Sequence, residues 1–338
     1  MKITAKEFAA QIGVSQSTVS MVYNGKPGVS EQTKKLVLES AQKIGYVPKQ
    51  KHRSASEART IQYVIYKKHG SVVSETSFFS SLLQGLEARA KELGYTLIIS
   101  YFYENMYAAE QTNALLGSAA SGIVLLATEM EEQNLNPFLQ LNKPLVILDS
   151  YIGGDKADSI TINNAAGAFD AVSFLYKNGH RKIGYLSSRV KINNFSERAE
   201  GFYKALHACP LADQHPIVIP VGSTTESAYR DMKIYLNQGG KLPTAFFADN
   251  DIIAVSCIRA LKEHGCRLPE DVSIIGFDDM PMCDLTEPPL TTIRVHKHLL
   301  GNLAVSLVDR RLKIEEPGNF HVEVSTQLVE RSSVRKLT

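Results

Sequence analysis

The stretch GVSQSTVSMVYNG, from Gly13 to Gly25, carries short hydroxyl side chains and an amide where a helix is expected. A buried helix would show apolar residues at these positions, and a solvated helix would usually carry Lys and Glu. Ser, Thr and Gln side chains instead suit a surface that hydrogen-bonds to a flat, polar partner. The stretch therefore predicts a short helix that presents polar groups to a ligand.

Three short helices are predicted around this stretch. Thr4 and Glu7 have the spacing of a capping box, and Gly13 is suited to end the first helix. Ser15 and Ser30 are predicted to cap the second and third helices. The predicted core of this unit consists of Phe8, Ala9, Ile12, Val14, Val19, Val22, Tyr23, Leu36, Val37, Ala41 and Ile44. Two helices joined by a tight glycine turn indicate a helix-turn-helix, whose second helix enters the major groove of DNA.

The side chains of the second helix divide by their position along it. Gln16 and Ser17 stand at its N-terminal end, where side chains reach base edges, and Gln can bond adenine through two hydrogen bonds. Thr18, Ser20 and Asn24 are better placed for phosphates, which position a protein without reading sequence.

The residues from Gly13 to Pro48 fit the pattern G-V-S-x-x-T-V-S-x-x-x-N, followed by V-S-x-x-T and G-Y-x-P. This resembles the DNA-binding head of the LacI family of bacterial transcriptional regulators. The resemblance implies that Gln16, Ser17 and Met21 read bases, and the Met21 thioether suits a thymine methyl group. It also implies backbone contacts, and the remaining residues of the predicted DNA-binding surface are Thr4, Ser15, Thr18, Ser20, Asn24, Ser30, Thr33 and Tyr46.

Charge is unevenly placed along the 338 residues. Residues 1–60 hold ten Lys or Arg and four Asp or Glu, a net charge of +6. The rest holds 27 and 31, a net charge of −4. A basic head on a mildly acidic body favours a polyanion partner for the head alone, with chance clustering on a solvated face as the alternative.

The segment KQKHRSASEART, residues 49–60, is polar and basic, which by itself indicates a linker. The family resemblance implies a hinge that forms a short helix on DNA, with a Leu that wedges between base pairs of the minor groove. Here the matching residue is Ala55, whose single methyl cannot fill an unstacked base step. We therefore expect a weaker DNA kink than is usual, with Arg53 contacting phosphates or the minor groove.

After residue 60 the pattern changes to short apolar runs that alternate with longer helical segments. The predicted strands are residues 61–67, 95–100, 122–126, 144–149, 182–187, 217–221, 244–248 and 272–277. The predicted helices are Phe79–Leu93, Ala165–Asn178, Ser196–His207, Ser227–Gln238 and Ile252–His264. This alternation indicates parallel sheets covered by helices on both faces. The predicted fold class is thus an all-α head followed by an α/β core of two tandem Rossmann-like subdomains.

The LacI resemblance extends over segments such as ERAEGFYKAL and LPEDVSIIGFDDMP, and so covers almost the whole chain. It implies a core similar to periplasmic sugar-binding proteins, with a ligand cleft between the subdomains. The expected domains are a helix-turn-helix at 1–48, a hinge at 49–60 and an effector-binding and dimerisation core at 61–338. Within the core, the N-subdomain is expected at about 61–160 plus 291–320, and the C-subdomain at about 161–290 plus 321–334.

Ligands of parallel sheets bind beyond the carboxyl ends of the strands. Asp149, Asn250 and Asp278 follow predicted strands, and Arg198 opens a predicted helix. Carboxylates with Arg and Asn suit vicinal hydroxyls or a purine edge. Each residue also has a structural alternative: Asn250 can cap the next helix, Asp278 can serve a turn, and Arg198 can pair with a buried carboxylate.

Four more effector-binding residues are implied by the family resemblance, and the predicted set is completed by Phe78, Phe79, Asn194 and Ser223. The two phenylalanines suit plain core positions equally well. Ser223 stands where family members often carry a large aromatic residue that stacks on the ligand. Its small side chain points to a larger or more polar effector.

Other function classes have little support in the sequence. The start of the chain lacks the apolar run of a signal peptide, no stretch reaches the roughly 18 apolar residues of a membrane span, and the four cysteines are scattered. We therefore expect a cytoplasmic protein without a membrane partner. His296 and His298 invite a metal interpretation, but a strand end is the simpler one. Neither a P-loop nor a glycine-rich dinucleotide motif follows a predicted strand.

The sequence therefore predicts a transcription regulator, in particular a repressor, that is not an enzyme and uses no cofactor or metal. As a homodimer it would bind a pseudo-palindromic double-stranded DNA operator, under the control of a small-molecule effector, a sugar or sugar derivative. A solute-binding protein without a DNA role and an α/β enzyme that uses the cleft carboxylates are the alternatives.

Overall fold

The computed structural model describes residues 5–23, 29–44, 59–73, 77–210, 213 and 215–337. The chain divides into two compact units, Met1–Ala58 and Arg59–Thr338. The first unit is the helical head and the second is the α/β core. The core begins with a strand at Arg59, two residues before the expected boundary.

The described part of the head contains three helices: α1 (Ala5–Gln11), α2 (Gln16–Tyr23) and α3 (Glu31–Ile44). Their buried apolar side chains form a single cluster of Phe8, Ala9, Val19, Val37 and Ala41, with Ile12, Val14 and Val22 partly buried against it. Most of the predicted core is therefore confirmed. Leu36 was predicted to point inward, but 47% of its surface is exposed, because it lies on the outer face of α3.

The first sheet of the core has six parallel strands. In spatial order they are β11 (His321–Val324), β5 (Asp158–Ile162), β4 (Leu145–Leu148), β3 (Gly122–Leu126), β1 (Arg59–Lys67) and β2 (Tyr95–Tyr103). All five pairings are parallel, and the central strands β3 and β1 are buried along nearly their whole length.

This strand order corrects the expected subdomain boundaries. Residues 321–334 were assigned to the second subdomain, but residues 321–324 form β11, which pairs in parallel with β5 and so extends the first sheet. The end of the range was assigned correctly, since the Ser333 backbone oxygen accepts from the Ile274 N–H of the second sheet. The expected boundary at 160 also cuts through β5, all of which belongs to the first sheet. Both errors have the same cause, since the pairing joins residues about 160 positions apart that carry only a short apolar signal.

Helices α4 (Ser77–Glu92) and α11 (Lys297–Lys313) pack against each other on the first subdomain. The contact depends on two glycines, because a Cβ atom on Gly85 would lie 2.1 Å from the backbone oxygen of His298. A Cβ on Gly301 would lie 2.3 Å from the backbone oxygen of Leu82. The subdomain also contains α5 (Ala108–Gly117) and the single turn α6 (Asn136–Leu139).

The second sheet has four parallel strands in the order β7 (Val218–Val221), β6 (Ile183–Ser188), β8 (Ala245–Ala248) and β9 (Ser273–Ile275). Its helices are α7 (Asn164–Lys177), α8 (Asn193–Ala208), α9 (Thr225–Asn237) and α10 (Asp251–Glu263). Two tandem parallel-sheet subdomains are thus present, as predicted. A short antiparallel pair, β10 (Thr292–Arg294) with β12 (Gln327–Val329), lies on two of the segments that join them.

Candidate functional site

The N-terminus of α2 is organised by the Ser15 hydroxyl. Its oxygen accepts a hydrogen bond from the backbone N–H of Thr18 at 3.0 Å, which makes Ser15 the N-cap. The same hydroxyl lies 2.6 Å from the Ser17 hydroxyl and 2.7 Å from the Thr18 hydroxyl. Three predicted DNA-contacting residues therefore share one local hydrogen-bond cluster at the exposed start of the helix.

Gln16 and Ser17, the two predicted base readers, are exposed, and Met21 is partly buried. Ser30 caps α3 in the way that Ser15 caps α2, since its hydroxyl accepts from the Thr33 N–H at 3.2 Å. Ser20 lies within α2. The remaining predicted DNA-binding residues lie outside the described residues: Thr4, Asn24, Tyr46, Arg53 and Ala55.

In the core, the guanidinium of Arg198 is the centre of a buried network. It donates to the Asn164 side-chain oxygen at 2.9 Å, to the backbone oxygen of Asp249 at 2.6 Å and to the Asp278 carboxylate at 3.1 Å. The side chain is only 3% exposed. These partners follow three different strands, so helix α8 carries one cation to the point where the carboxyl ends of those strands meet.

Aromatic rings hold the Arg198 guanidinium in place. The centre of the guanidinium lies 3.8 Å from the centroid of the Phe277 ring and 5.6 Å from that of Phe195. Contact with a ring face favours a desolvated cation, and Arg is weakly hydrated enough to accept such a site. The expected alternative for Arg198, a buried carboxylate partner, is therefore present within the same arrangement as the expected cleft position.

Asp149 connects the two subdomains. It follows β4 of the first sheet, and its carboxylate accepts from the Thr128 hydroxyl at 2.6 Å. From the second subdomain, the Asn194 amide donates to it at 3.0 Å. Next to this contact, the Asn193 amide donates to the Ser150 hydroxyl at 3.0 Å. The first two residues of α8 thus bind directly across the cleft.

The backbone is strained at the ends of these strands. Asp149 has φ of 66°, Asp278 has φ of 113° and Asp279 has φ of 54°. Only one other non-glycine residue in the described part of the chain, Asn142, has positive φ. Such conformations cost about 1–3 kcal/mol each and collect at functional sites. Their position therefore marks the carboxyl ends of the strands as a candidate functional site.

Burial dominates the electrostatics of the carboxyl groups here. It raises the pKa of Asp149 to about 6, against hydrogen bonds from Thr128 and Asn194. It likewise raises the pKa of Asp249 and of Asp251 to about 7. The pKa of Asp278 is raised by burial too, despite the opposing charges of Arg198 and Lys297. Several acids thus share one desolvated site with few cations.

The other predicted effector residues occupy mixed positions. The Asn250 side-chain oxygen accepts from the Ile253 N–H at 2.9 Å and caps α10, so only its amide N–H groups remain to donate to a ligand. Phe78 is a buried core residue, and the Phe79 ring meets it edge-on at 5.0 Å. Ser223 is buried between β7 and α9, and it is not a partner in the three hydrogen bonds that Arg198 donates.

Two residues of the cleft were not predicted. Asn164 begins α7 and donates to Glu197 at 2.8 Å while accepting from Arg198. Lys297 begins α11, and its ammonium donates to the backbone oxygens of Asp278 and Asp279. Their positions at the starts of helices beyond strands were readable signals, but their partners are distant in the sequence.

Two further properties concern the described residues as a group. No three His, Cys, Asp or Glu side chains among them come together in a way that could hold a metal ion. No helix that the structure describes combines the length and apolar character needed to cross a bilayer.

Comparisons with known proteins agree with both units. Residues 4–49 match the model of bacterial regulatory proteins of the lacI family, and residues 172–334 match the periplasmic binding protein-like domain. The HTH-type transcriptional repressor PurR of Actinobacillus pleuropneumoniae serotype 3 (strain JL03) is 32% identical, with 99% of each chain covered.

Two solved structures share the fold at low identity. The transcriptional regulator CelR in complex with cellobiose has a TM-score of 0.73 at 24% identity, and the match covers 98% of this chain and 99% of CelR. The lac repressor dimer bound to operator and the anti-inducer ONPF has a TM-score of 0.71 at 23% identity, with coverage of 99% and 100%. Because the PurR repressor is 32% identical over 99% of both chains and the lacI family model matches the head, the chain belongs to the LacI family: it is a DNA-binding transcriptional repressor with an effector-binding core, and not an enzyme.

Proposed function

We propose that this repressor binds a pseudo-palindromic operator as a homodimer and is controlled by a carbohydrate effector in the cleft between its subdomains. The observation that carries the proposal is the Arg198 network, which gathers buried polar groups at the carboxyl ends of both sheets. Asp149 and Asp278 now bind Asn194 and Arg198, and a ligand with vicinal hydroxyls would replace those partners with its own donors.

The charge of the cleft favours a neutral polyhydroxyl ligand over a phosphorylated one. Asp149, Asp249, Asp251 and Asp278 are all nearly fully buried there, while few cations face them. A phosphate would have to enter beside these carboxyl groups and meet like charge in a medium of low dielectric constant. A sugar instead offers hydroxyl donors to the carboxylates and a C–H face to aromatic rings.

A thermal-shift screen of the full chain against mono- and disaccharides, nucleobases and sugar phosphates tests the effector class. We expect stabilisation by a neutral sugar, and operator affinity that changes when the same sugar is added in a gel-shift assay. Asp278→Asn should abolish the shift, whereas Asp155→Asn, an exposed position, should keep it. Stabilisation only by a nucleobase or only by a sugar phosphate would refute the carbohydrate assignment.

An exposed apolar surface supports the homodimer. Strand β2 lies at the edge of the first sheet, yet 45% of Ile98 and 51% of Tyr101 is exposed. The segment that follows adds Tyr107, which is 85% exposed, and Leu116. Exposed apolar side chains on an edge strand and the segment after it are typical of interaction sites, and a second copy is the partner that a two-fold operator requires.

Sedimentation equilibrium tests this surface. Ile98→Glu with Tyr107→Glu should yield monomers that bind a full operator much more weakly, because two head contacts are no longer joined. Ile314→Glu changes an equally exposed apolar residue on another part of the subdomain and should leave the dimer intact. A dimer that survives the double substitution would remove this surface from the proposal.

The proposed DNA complex is bent less than is usual for this family, because Ala55 lacks the bulk of a wedge. A fluorescence bending assay on the selected operator compares the wild-type chain with Ala55→Leu. We expect the substitution to increase the bend. An equally sharp bend for both proteins would contradict the role given to Ala55.

Selection from a random duplex library tests the operator. If the full chain retains no preference for any duplex sequence after selection, while a sugar still stabilises it, the pseudo-palindromic operator is removed from the proposal and the effector assignment stands.

A further inference from the structure

Glu129 is a buried carboxylate that holds a loop on the edge of the cleft. It follows β3, is 3% exposed and accepts hydrogen bonds from five backbone N–H groups of one segment. One oxygen accepts from Lys68, His69 and Gly70 at 3.1, 3.1 and 2.8 Å. The other accepts from Val72 and Val73 at 2.9 and 3.3 Å. We call residues 68–73 the clasp loop.

The clasp loop has no regular secondary structure of its own that could satisfy these donors. Buried backbone N–H groups without a partner are costly, so the loop depends on Glu129 for its conformation. A concave row of N–H groups is a natural anion site, and here the anion is supplied by the protein itself. The hydrogen bonds lower the pKa of Glu129 in spite of its burial, so the group is a carboxylate at neutral pH.

Val72 connects the clasp loop to the opposite subdomain. Val72 is buried in a small apolar cluster with Ile192 and Phe195, which lie just before and within α8. Phe195 is also the ring beside the Arg198 guanidinium. The carboxylate of Glu129 therefore fixes Val72, and Val72 contacts the part of α8 that carries Asn194 and Arg198.

Glu129 also adjoins the first subdomain's side of the cleft. Thr128, the residue before it, donates its hydroxyl to Asp149. Two consecutive residues thus hold two of the contacts that cross the cleft on this side, Asp149 with Asn194 and Val72 with Phe195.

We propose that Glu129 is a positioning residue of the effector cleft, which orders the clasp loop and, through Val72, holds the start of α8 against the first subdomain. The inference rests on the proposed function in one respect, that this cleft is where the effector binds. Loss of the carboxylate opens the cleft on the side of α8 without removing any group that would touch the effector.

Hydrogen exchange on the full chain, read by mass spectrometry without any ligand, tests the positioning role. Glu129→Gln keeps the shape but places an NH₂ group against backbone donors, so one set of hydrogen bonds is lost. We expect amides 68–73 to exchange at least about tenfold faster, and amides 190–196 of the other subdomain to exchange faster as well.

Two further variants separate a positioning role from general destabilisation. Val72→Ala should speed exchange at 190–196 while 68–73 stays protected, because the loop keeps its carboxylate. Asp158→Asn removes a buried carboxylate that pairs with Arg311 in the same subdomain, and should leave both segments as in the wild type. Faster exchange at 68–73 alone in Glu129→Gln, or equal changes in Asp158→Asn, would overturn the proposal.

This outcome is independent of the effector screen. If no sugar binds but the exchange pattern is as expected, the positioning role holds and the carbohydrate assignment fails. If a sugar binds but exchange in Glu129→Gln becomes faster at amides 68–73 and not at amides 190–196, the carbohydrate assignment holds and the positioning role fails.

Discussion

The head and the core hold their functional polar groups in opposite ways. At the start of α2, the Ser17 and Thr18 hydroxyls both bond to the Ser15 hydroxyl, within four positions of sequence and at the surface. In the core, Arg198 is buried and its partners lie 34, 51 and 80 positions away. Removal of a surface polar group costs the free protein little stability. Removal of a buried charge leaves its buried partners without hydrogen bonds and costs much more. Substitutions in the head should therefore affect recognition, and those in the cleft should affect stability first.

The largest effect is expected for Arg198→Leu. The substitution leaves the Asp278 carboxylate and the Asn164 oxygen buried without their donor, and such broken pairs cost about 3–5 kcal/mol. Urea unfolding followed by far-UV circular dichroism measures the loss. Arg267→Leu is the control, because its ion pair with Asp271 is exposed to solvent and is expected to contribute little to stability. Equal losses for the two variants would contradict the central role of Arg198.

The same contrast explains which parts of the site the sequence could predict. Caps and strand ends are local signals, so Ser15, Ser30 and Asn250 were placed by their neighbours along the chain. Arg198 and Asp278 were placed by the family pattern, and their contact confirms that they meet. The contacts of Asn164 and Glu129 could not be predicted, because their partners lie 34 and about 57 positions away.

Which strands the sequence could predict follows the same distinction between local and distant signals. Most long strands of the two sheets were predicted within one or two residues, since each is a continuous apolar run. Strands β5, β10, β11 and β12 were missed or misassigned because they are three to five residues long and each pairs with a distant segment. Short strands gain their stability from tertiary pairing, which a single sequence does not display.

We expect that the head can unfold while the core stays folded, and Phe8→Ala tests this. Phe8 is fully buried in a cluster that has five buried members among the described residues, and loss of a buried Phe side chain costs about 3–5 kcal/mol. We expect operator binding to be lost and the head to become sensitive to trypsin, while thermal unfolding of the core is unchanged. Leu36→Ala, at an exposed position of α3, serves as the control. A lowered melting temperature of the core would show that the two units unfold together.

The buried acids of the cleft should make the free energy of unfolding depend on pH. Burial raises the folded pKa of Asp249 to about 7 from an ordinary value of 3.8, so between these values the folded state binds more protons. The free energy of unfolding therefore falls as pH rises through this range, by at most about 1.4 kcal/mol per pH unit, and levels off above it. Asp249→Asn cannot titrate, so its stability relative to the wild type should increase from pH 4 to 7.

Asp271 supplies the matched control for this titration. Its pKa is lowered to about 2 by Arg267, so its stabilising contribution is complete above pH 3.8 and is lost only as pH falls toward 2. Urea midpoints for Asp271→Asn should therefore differ from the wild type by a constant amount between pH 4 and 8. A constant difference for Asp249→Asn as well would mean that Asp249 is ionised throughout this range.

The smallest effect is expected at the exposed surface of the head, in Gln16→Ala. Gln16 is a surface residue at the start of α2, so the free protein should keep its stability. A bidentate base contact contributes about 1–3 kcal/mol of discrimination between sequences. The dissociation constants for the selected operator and the scrambled duplex should therefore become more similar in this variant, by a corresponding factor. Both constants must be measured at one salt concentration, because phosphate contacts vary with salt. Gln11→Ala, exposed in α1, should leave the ratio unchanged. If Gln16→Ala weakens both duplexes equally, Gln16 positions the head on phosphates and the reading of bases falls to Ser17 and Met21.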